Sequence, residues 1–295
     1  MTEISPTGAT IAGVTHHLTE LNGTRLHYVS AGSTGSPILL VHGWPETWWA
    51  FRKLIPLLAQ THRVYAVDLR GFGDSDGGET LWDAQTVVDD LHHLVQHLDV
   101  GPVHLLCQDI SGGVGFTLAA TRPEEVLSLT AIETTLVGFG LEMLADVNGF
   151  GSWHVGFLGT PGIPSLILRG RERALLADWA YPMMNGTDGA VTGADLDEFV
   201  RAYSRPDGWR GSESLYRAIF TDDGATPALA QSRPLTMPVL TIEGVNHAVT
   251  ADTFARVTAG GITSVHVEGA GHLVAQEDPG AVASALLEFT ARVDG

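Results

Sequence analysis

Cys107-Gln108-Asp109-Ile110-Ser111-Gly112-Gly113 is the stretch on which the reading of the fold turns. Val103-His104-Leu105-Leu106, a short apolar run opened by Gly101-Pro102, stands before it, and Gly115-Phe116-Thr117-Leu118-Ala119-Ala120 follows with helical character. A buried strand, a turn of small residues and a helix form a nucleophile elbow. The turn needs small residues because its backbone is strained and crowded, and Cys107, Ser111 and Gly112 supply them. The apex residue is Asp109 rather than a serine. Taken alone, Asp109 reads as a helix N-cap or a loop acid; its surroundings along the chain favour a reacting carboxylate.

Working outward, strands and helices alternate. Asn22-Gly23 marks a hairpin turn between two strand-like runs within 17–30. Pro37-Ile38-Leu39-Leu40-Val41-His42 reads as a strand buried on both faces and ends in His42-Gly43-Trp44-Pro45. The run 51–58 has helical spacing, 63–68 is a strand, and 82–98 is a helix whose apolar face is Val87, Val88, Leu91, Leu94, Val95 and Leu98. After the elbow helix, closed by Pro123, the strand 126–132 ends at Glu133. The alternation implies an α/β fold with a mostly parallel sheet and helices on both faces. From 136 to 233 the rhythm breaks into helical segments rich in Trp and Tyr, with no strand pair, which predicts a helical insertion. The alternation resumes at 239–242 and runs through a strand at 264–267, Gly271-His272 and a last helix over 279–293. The expected division is therefore a core of residues 1–135 and 234–295, with a cap of residues 136–233.

The bulk numbers narrow the possibilities. The 295 residues, 44% hydrophobic and 17% charged, suit one large globular α/β unit with an insertion. A net charge of −18 argues against nucleic acid and anionic membranes as partners. The single cysteine, Cys107, excludes an internal disulfide and a thiolate metal cluster. With no signal-peptide pattern and no bilayer-length apolar run, a cytoplasmic setting is expected. The sequence implies no cofactor and no metal, and it carries no feature that sets an oligomeric state.

These elements together resemble the α/β-hydrolase fold over nearly the whole chain. His42-Gly43-Trp44-Pro45 resembles the oxyanion-hole loop of epoxide hydrolases, Asp109 stands at the elbow as in the branch shared by epoxide hydrolases and dehalogenases, and His272 stands where the family places its catalytic histidine. The wider stretch from Trp44 to Arg52 is also similar to that group. Leu215-Tyr216-Arg217 resembles the segment carrying a lid tyrosine, and Ser152-Trp153-His154 lies where a second lid donor is expected. The chain departs from most epoxide hydrolases in lacking a second tyrosine there, and from many relatives in having Ile110 rather than Trp after the nucleophile.

The resemblance implies the following roles. Asp109, already anionic at neutral pH, attacks a saturated carbon and forms an ester, which His272 then hydrolyses as a base on water. Backbone N–H groups of Trp44 and Ile110 receive the oxyanion. Glu133 is expected to orient His272, with Glu243 as the fallback, and Asn246 stands near the acid position of other relatives. Tyr216 is the expected hydrogen-bond donor to the opening ring, and Trp153 or His154 the second. His42, Trp153, His154, Trp179 and Tyr181 are candidates to line the substrate pocket, and the aromatic lid suits an apolar epoxide, aromatic ones included. Asp74 and Arg70 read as structural, His93 and His97 as a helix pair without a third metal ligand, and His16, His17 and His92 as solvated. The implied activity is epoxide hydrolysis. The alternatives are a haloalkane or haloacid dehalogenase using the same ester, and a non-catalytic ligand-binding protein on the same fold.

Overall fold

The computed structural model describes residues 2–78, 80–148, 151–244 and 249–295. Among the described residues, nine strands form one sheet in the order β1-β2-β3-β5-β4-β6-β7-β8-β9. Strands β1 (Thr2–Ile4), β2 (Thr15–Leu21) and β3 (Thr24–Ala31) are antiparallel, and β3 runs antiparallel to β5 (Arg63–Val67). The β2–β3 turn is Asn22-Gly23, both at positive φ, which Asn and Gly tolerate better than other residues. The remaining neighbours are parallel: β5, β4 (Pro37–Val41), β6 (Val103–Gln108), β7 (Val126–Ile132), β8 (Val239–Glu243) and β9 (Ile262–His266). Every residue of β4, β6 and β8 is buried, so their largely apolar composition reflects helices on both faces.

Of the core helices, α1 (Ile55–Leu58) is short and α2 (Ala84–Leu98) is long, capped by Asp83, whose side chain accepts the Thr86 N–H. The apolar residues of α2 at helical spacing are all buried. Helix α3 (Ser111–Thr121) follows the elbow. Between β7 and β8 the described residues hold helices only: α4 (Trp153–Leu158), α5 (Ile163–Leu168), α6 (Glu172–Leu175), α7 (Tyr181–Met184), α8 (Gly193–Tyr203), α9 (Arg210–Thr221) and α10 (Ala225–Ser232). A wide π turn, Leu176–Ala180, joins α6 to α7. The chain closes with α11 (Val249–Val257), α12 (Val274–Glu277) and α13 (Pro279–Asp294). No helix among the described residues is long and apolar enough to cross a membrane.

Buried polar ties fasten the insertion to the sheet side. Arg52 pairs with Asp195 of α8, whose carboxylate also accepts the Trp49 indole N–H at 3.0 Å. Arg201 bonds Asp74 at 2.9 Å, which gives Asp74 the structural part expected of it. Arg70 likewise pairs with Asp90. The histidines expected to be solvated are not. His16 bonds His27 at 3.0 Å and lies edge-on to Trp48, while His17 stacks on Tyr28 at 4.7 Å, so both faces of β2 are covered at this pair. His92 is half-buried on Glu125 at 2.8 Å.

Strand order reverses at β4, flanked by β5 and β6. In open α/β sheets the crevice beyond the carboxyl ends of strands at such a point receives ligands. His42, Asp109, Glu133 and Gly244 directly follow β4, β6, β7 and β8, and His272 lies in the loop after β9.

Candidate active site

The elbow is built by backbone. Asp109 sits at φ +54, a conformation that a non-glycine residue holds only under constraint. Its N–H donates to Ile132 O at 3.0 Å and its carbonyl accepts the Gly112 N–H at 2.9 Å. The Ser111 hydroxyl donates to Gln108 O at 2.7 Å and accepts the Gln108 N–H, pinning the turn beneath the apex. Ser111 therefore does more than supply small volume. Gly43 is required opposite: a Cβ there would collide with the Asp109 side chain. That close approach lets the Trp44 N–H reach Asp109 Oδ1 at 3.0 Å.

His272 Nε2 lies 2.8 Å from Asp109 Oδ2, and its Nδ1 lies 3.3 Å from Glu133 Oε2. Glu133 is itself at φ +45, and its Oε1 accepts the Gly244 N–H at 2.6 Å. Of the two acids considered, Glu133 is the one that meets His272. Glu243 instead accepts the N–H groups of Thr250 and Ala251 at the start of α11. Asn246 lies outside the described residues. Burial opposes the charge on Asp109, but His272 first, then the Ile110 and Trp44 N–H groups, hold its pKa below the ordinary value. Burial likewise opposes a charged His272, yet the bonds and charges of Asp109 and Glu133 lift it to about 10.

Facing this edge is an aromatic box. The Trp44 ring stacks on His154 at 5.0 Å and meets Tyr216 edge-on at 5.8 Å; His154 and Tyr216 are 5.6 Å apart. Trp179, carried on the π turn, tilts against Trp44, His154 and Trp153. Tyr216 OH and His154 Nε2 have no hydrogen-bond partner among the described residues. Burial, then the Asp109 charge, push the Tyr216 phenol well above its ordinary pKa. Burial lowers His154 to about 4 against the pull of Asp109, so the imidazole is neutral. The Asp109 charge thus acts on both groups.

The other expected residues separate. Trp153 is 44% exposed, with its ring on Trp179 and Phe157, so it forms the outer rim, whereas His154 at 8% is inside. Ile110 contributes its N–H and a half-buried side chain. Two pocket-lining expectations are corrected. His42 is fully buried with both ring nitrogens used, on Gly43 O at 2.8 Å and the Leu69 N–H at 3.1 Å; it braces the loop. Tyr181 is buried against Phe199 and donates its hydroxyl to Pro45 O at 3.0 Å, so it clamps the same loop from the insertion.

The sequence reading missed a buried carboxylate beneath the site. Glu46 accepts the side-chain amides of Gln276 at 2.7 Å and Gln108 at 3.2 Å, and Gln276 in turn accepts from Arg52. Burial raises Glu46 to about 7, with the Gln276 bond opposing and the Asp109 charge adding. The signal was Glu46 following Pro45 in an otherwise apolar stretch. A trio of His27, Asp68 and Asp74 also lies close together, but Arg201 and His16 occupy it through hydrogen bonds.

A family described as alpha/beta hydrolase fold matches residues 36–161. The soluble epoxide hydrolase of Corynebacterium sp. (strain C12) is 30% identical over 286 residues, covering 94% of this chain and 98% of that one. Among solved structures, Cfl2 from Burkholderia cenocepacia superposes with a TM-score of 0.86 at 31% identity, covering 94% and 96% of the two chains. The epoxide hydrolase CorEH superposes at 0.83 and 29% identity, covering 95% and 99%.

Proposed function

The chain belongs to the epoxide hydrolase family of α/β hydrolases, and from that premise we propose that it opens an epoxide to a vicinal diol through an ester on Asp109. One observation carries the reading. The Asp109 carboxylate is held by Trp44 on one oxygen and His272 on the other, and it faces a box in which Tyr216 OH and His154 Nε2 have no hydrogen-bond partner among the described residues.

In the first step Oδ2 bonds to a ring carbon, the carbon–oxygen bond breaks, and its electron pair passes to the ring oxygen. That oxygen takes a hydrogen from Tyr216, with His154 as second donor. Esterification erases the Asp109 charge. It thereby removes a cause that raised Tyr216 and two that raised His272, so both become more acidic. The proton His272 gives up balances the one the alkoxide gains through Tyr216.

Neutral His272, oriented by Glu133, then takes a proton from water as hydroxide adds to the Asp109 carbonyl carbon. The oxyanion falls on Oδ1, beside the Trp44 and Ile110 N–H groups; one such donor contributes about 3 kcal/mol. Collapse returns the proton from His272 to the departing diol oxygen and leaves the carboxyl, which passes its proton back to His272. An aspartate suits this route because a serine in its place would form an ether that water cannot cleave.

The rings of Trp44, Trp179 and Trp153 favour an apolar substrate, aromatic epoxides included. We assign residues 136–233 as the cap and propose a reducing, cytoplasmic setting, in keeping with the lone buried cysteine. The test is a single turnover of styrene oxide in oxygen-18 water. Label should enter a peptide containing Asp109 before it enters diol, and His272→Ala should accumulate protein heavier by one substrate mass. Label appearing at once in diol, with no adduct, overturns the ester. Halide release from a chloroalkane without epoxide turnover hands the site to dehalogenation.

A further inference from the structure

We propose that Ser152 sets the tautomer of His154, holding its hydrogen on Nε2 so that the ring can donate to the epoxide oxygen beside Tyr216. The inference rests on the ring-opening reading above and adds a positioning residue to it.

Ser152 precedes α4 in the N-cap place with extended backbone, φ −118 and ψ 135, where a serine hydroxyl ordinarily accepts an N–H of the first turn. Here it makes no such bond. Its Oγ lies instead 2.6 Å from His154 Nδ1. A neutral imidazole has one N–H and one lone pair, and the partner of one nitrogen decides which is which. With the serine hydrogen directed at Nδ1, the lone pair is satisfied there and Nε2 carries the N–H. In the other tautomer Nδ1–H points at Oγ, and the serine hydrogen has no acceptor among the described residues.

The electrostatics select the same state. The Asp109 charge acts on the His154 ring, and an N–H dipole toward an anion is favoured where a lone pair is repelled. Stacking on Trp44 fixes the plane of the ring, so the choice of tautomer decides whether a donor or an acceptor faces the substrate. An acceptor there would repel the ring oxygen as negative charge gathers on it. Tyr216 would then stabilise the alkoxide alone.

The experiment uses the full chain and four variants: Ser152→Ala, Ser152→Thr, His154→Gln and the double variant Ser152→Ala/His154→Gln. Nitrogen-15 spectra of the imidazoles, with His154 assigned by its loss in His154→Gln, should show protonated Nε2 and bare Nδ1 in the parent and in Ser152→Thr. Ser152→Ala should show a mixture of tautomers. With styrene oxide, Ser152→Ala should slow formation of the covalent adduct on the order of tenfold, as expected for one lost hydrogen bond, with KM little changed. Ser152→Thr should restore the rate. In the His154→Gln background, where an amide donates without a tautomer, Ser152→Ala should have no further effect. Protonated Nδ1 in the parent, or Ser152→Ala with both spectrum and adduct rate unchanged, overturns the proposal while leaving epoxide opening in place. A parent that shows protonated Nε2 but opens no epoxide overturns the reading on which the catalytic part rests.

Discussion

At the carboxyl ends of the strands, reacting groups are tied to backbone. Asp109 is fixed by the Ile132 and Gly112 peptides and by the Trp44 N–H, and Glu133 by the Gly244 N–H. In the insertion, Tyr216 is held by ring edges at 5.6 and 5.8 Å and His154 by stacking at 5.0 Å with one side-chain bond to Ser152, and the tips that would meet substrate have no partner among the described residues. Backbone hydrogen bonds are directional and shared with the sheet, so the first half of the site moves only if strands move. Ring contacts keep the plane of a ring but let it slide within that plane. The two halves are thus suited to different tasks: a fixed carboxylate for making and cleaving the ester, and adaptable donors for meeting ring oxygens of differing position.

Removing a fixed part should be the harshest test of that contrast. Asp109→Ala is expected to lower turnover by at least about 10⁴-fold with the fold intact by circular dichroism, since no other carboxylate can take its place. Substantial activity in a folded Asp109→Ala protein would end the argument for a sheet-borne nucleophile. Tyr216→Phe keeps the ring contacts and removes only a donor, so adduct formation should slow by about 10²-fold while adduct hydrolysis is spared. Equal slowing of both steps in stopped-flow traces would mean that Tyr216 serves the architecture rather than ring opening.

The gentlest test is thermodynamic. The folded pKa of His272, about 10, lies above its ordinary 6.5, so between those values the folded chain holds a proton the unfolded chain releases. Stability from this source is complete below pH 6.5 and is lost as pH rises toward about 10. Asp109→Asn removes the leading cause of the raised value, so its melting temperature should fall less steeply over that window than the parent's. Parallel curves would show that the pair is not coupled to folding.

The same contrast explains what the sequence disclosed. The strand alternation, the elbow and the order Asp109, Glu133, His272 could be read because period and punctuation are local signals. The sequence points to Glu133 with Glu243 as the fallback, because both stand at the ends of buried strands; the difference lies in three dimensions, where Glu133 meets His272 and Glu243 turns to the start of α11. Within the insertion the sequence marked aromatic residues without their depths. Trp153 and His154 are neighbours in the chain, yet one forms the rim and the other lines the box, a distinction made by the pitch of α4 against Trp44 and Trp179. His42 and Tyr181 flank the site, which makes them pocket candidates from sequence; their hydrogen bonds to the loop from within the fold leave no mark in the chain. His16 and His17 read as solvated since polar neighbours on a strand usually place one side in water, but at this pair both faces of β2 are roofed.

The bond from Gly244 to Glu133 has an evolutionary consequence. Gly244 gives only its N–H, a group that nineteen of the twenty residues possess, yet a Cβ at that point would run into the carbonyl oxygens of Ala270 and Gly271. Drift at the end of β8 is therefore limited by volume, and drift at the end of β7 by chemistry. A survey of functional variants would find the first position intolerant of any side chain at all, and the second intolerant of every side chain that does not end in a carboxylate.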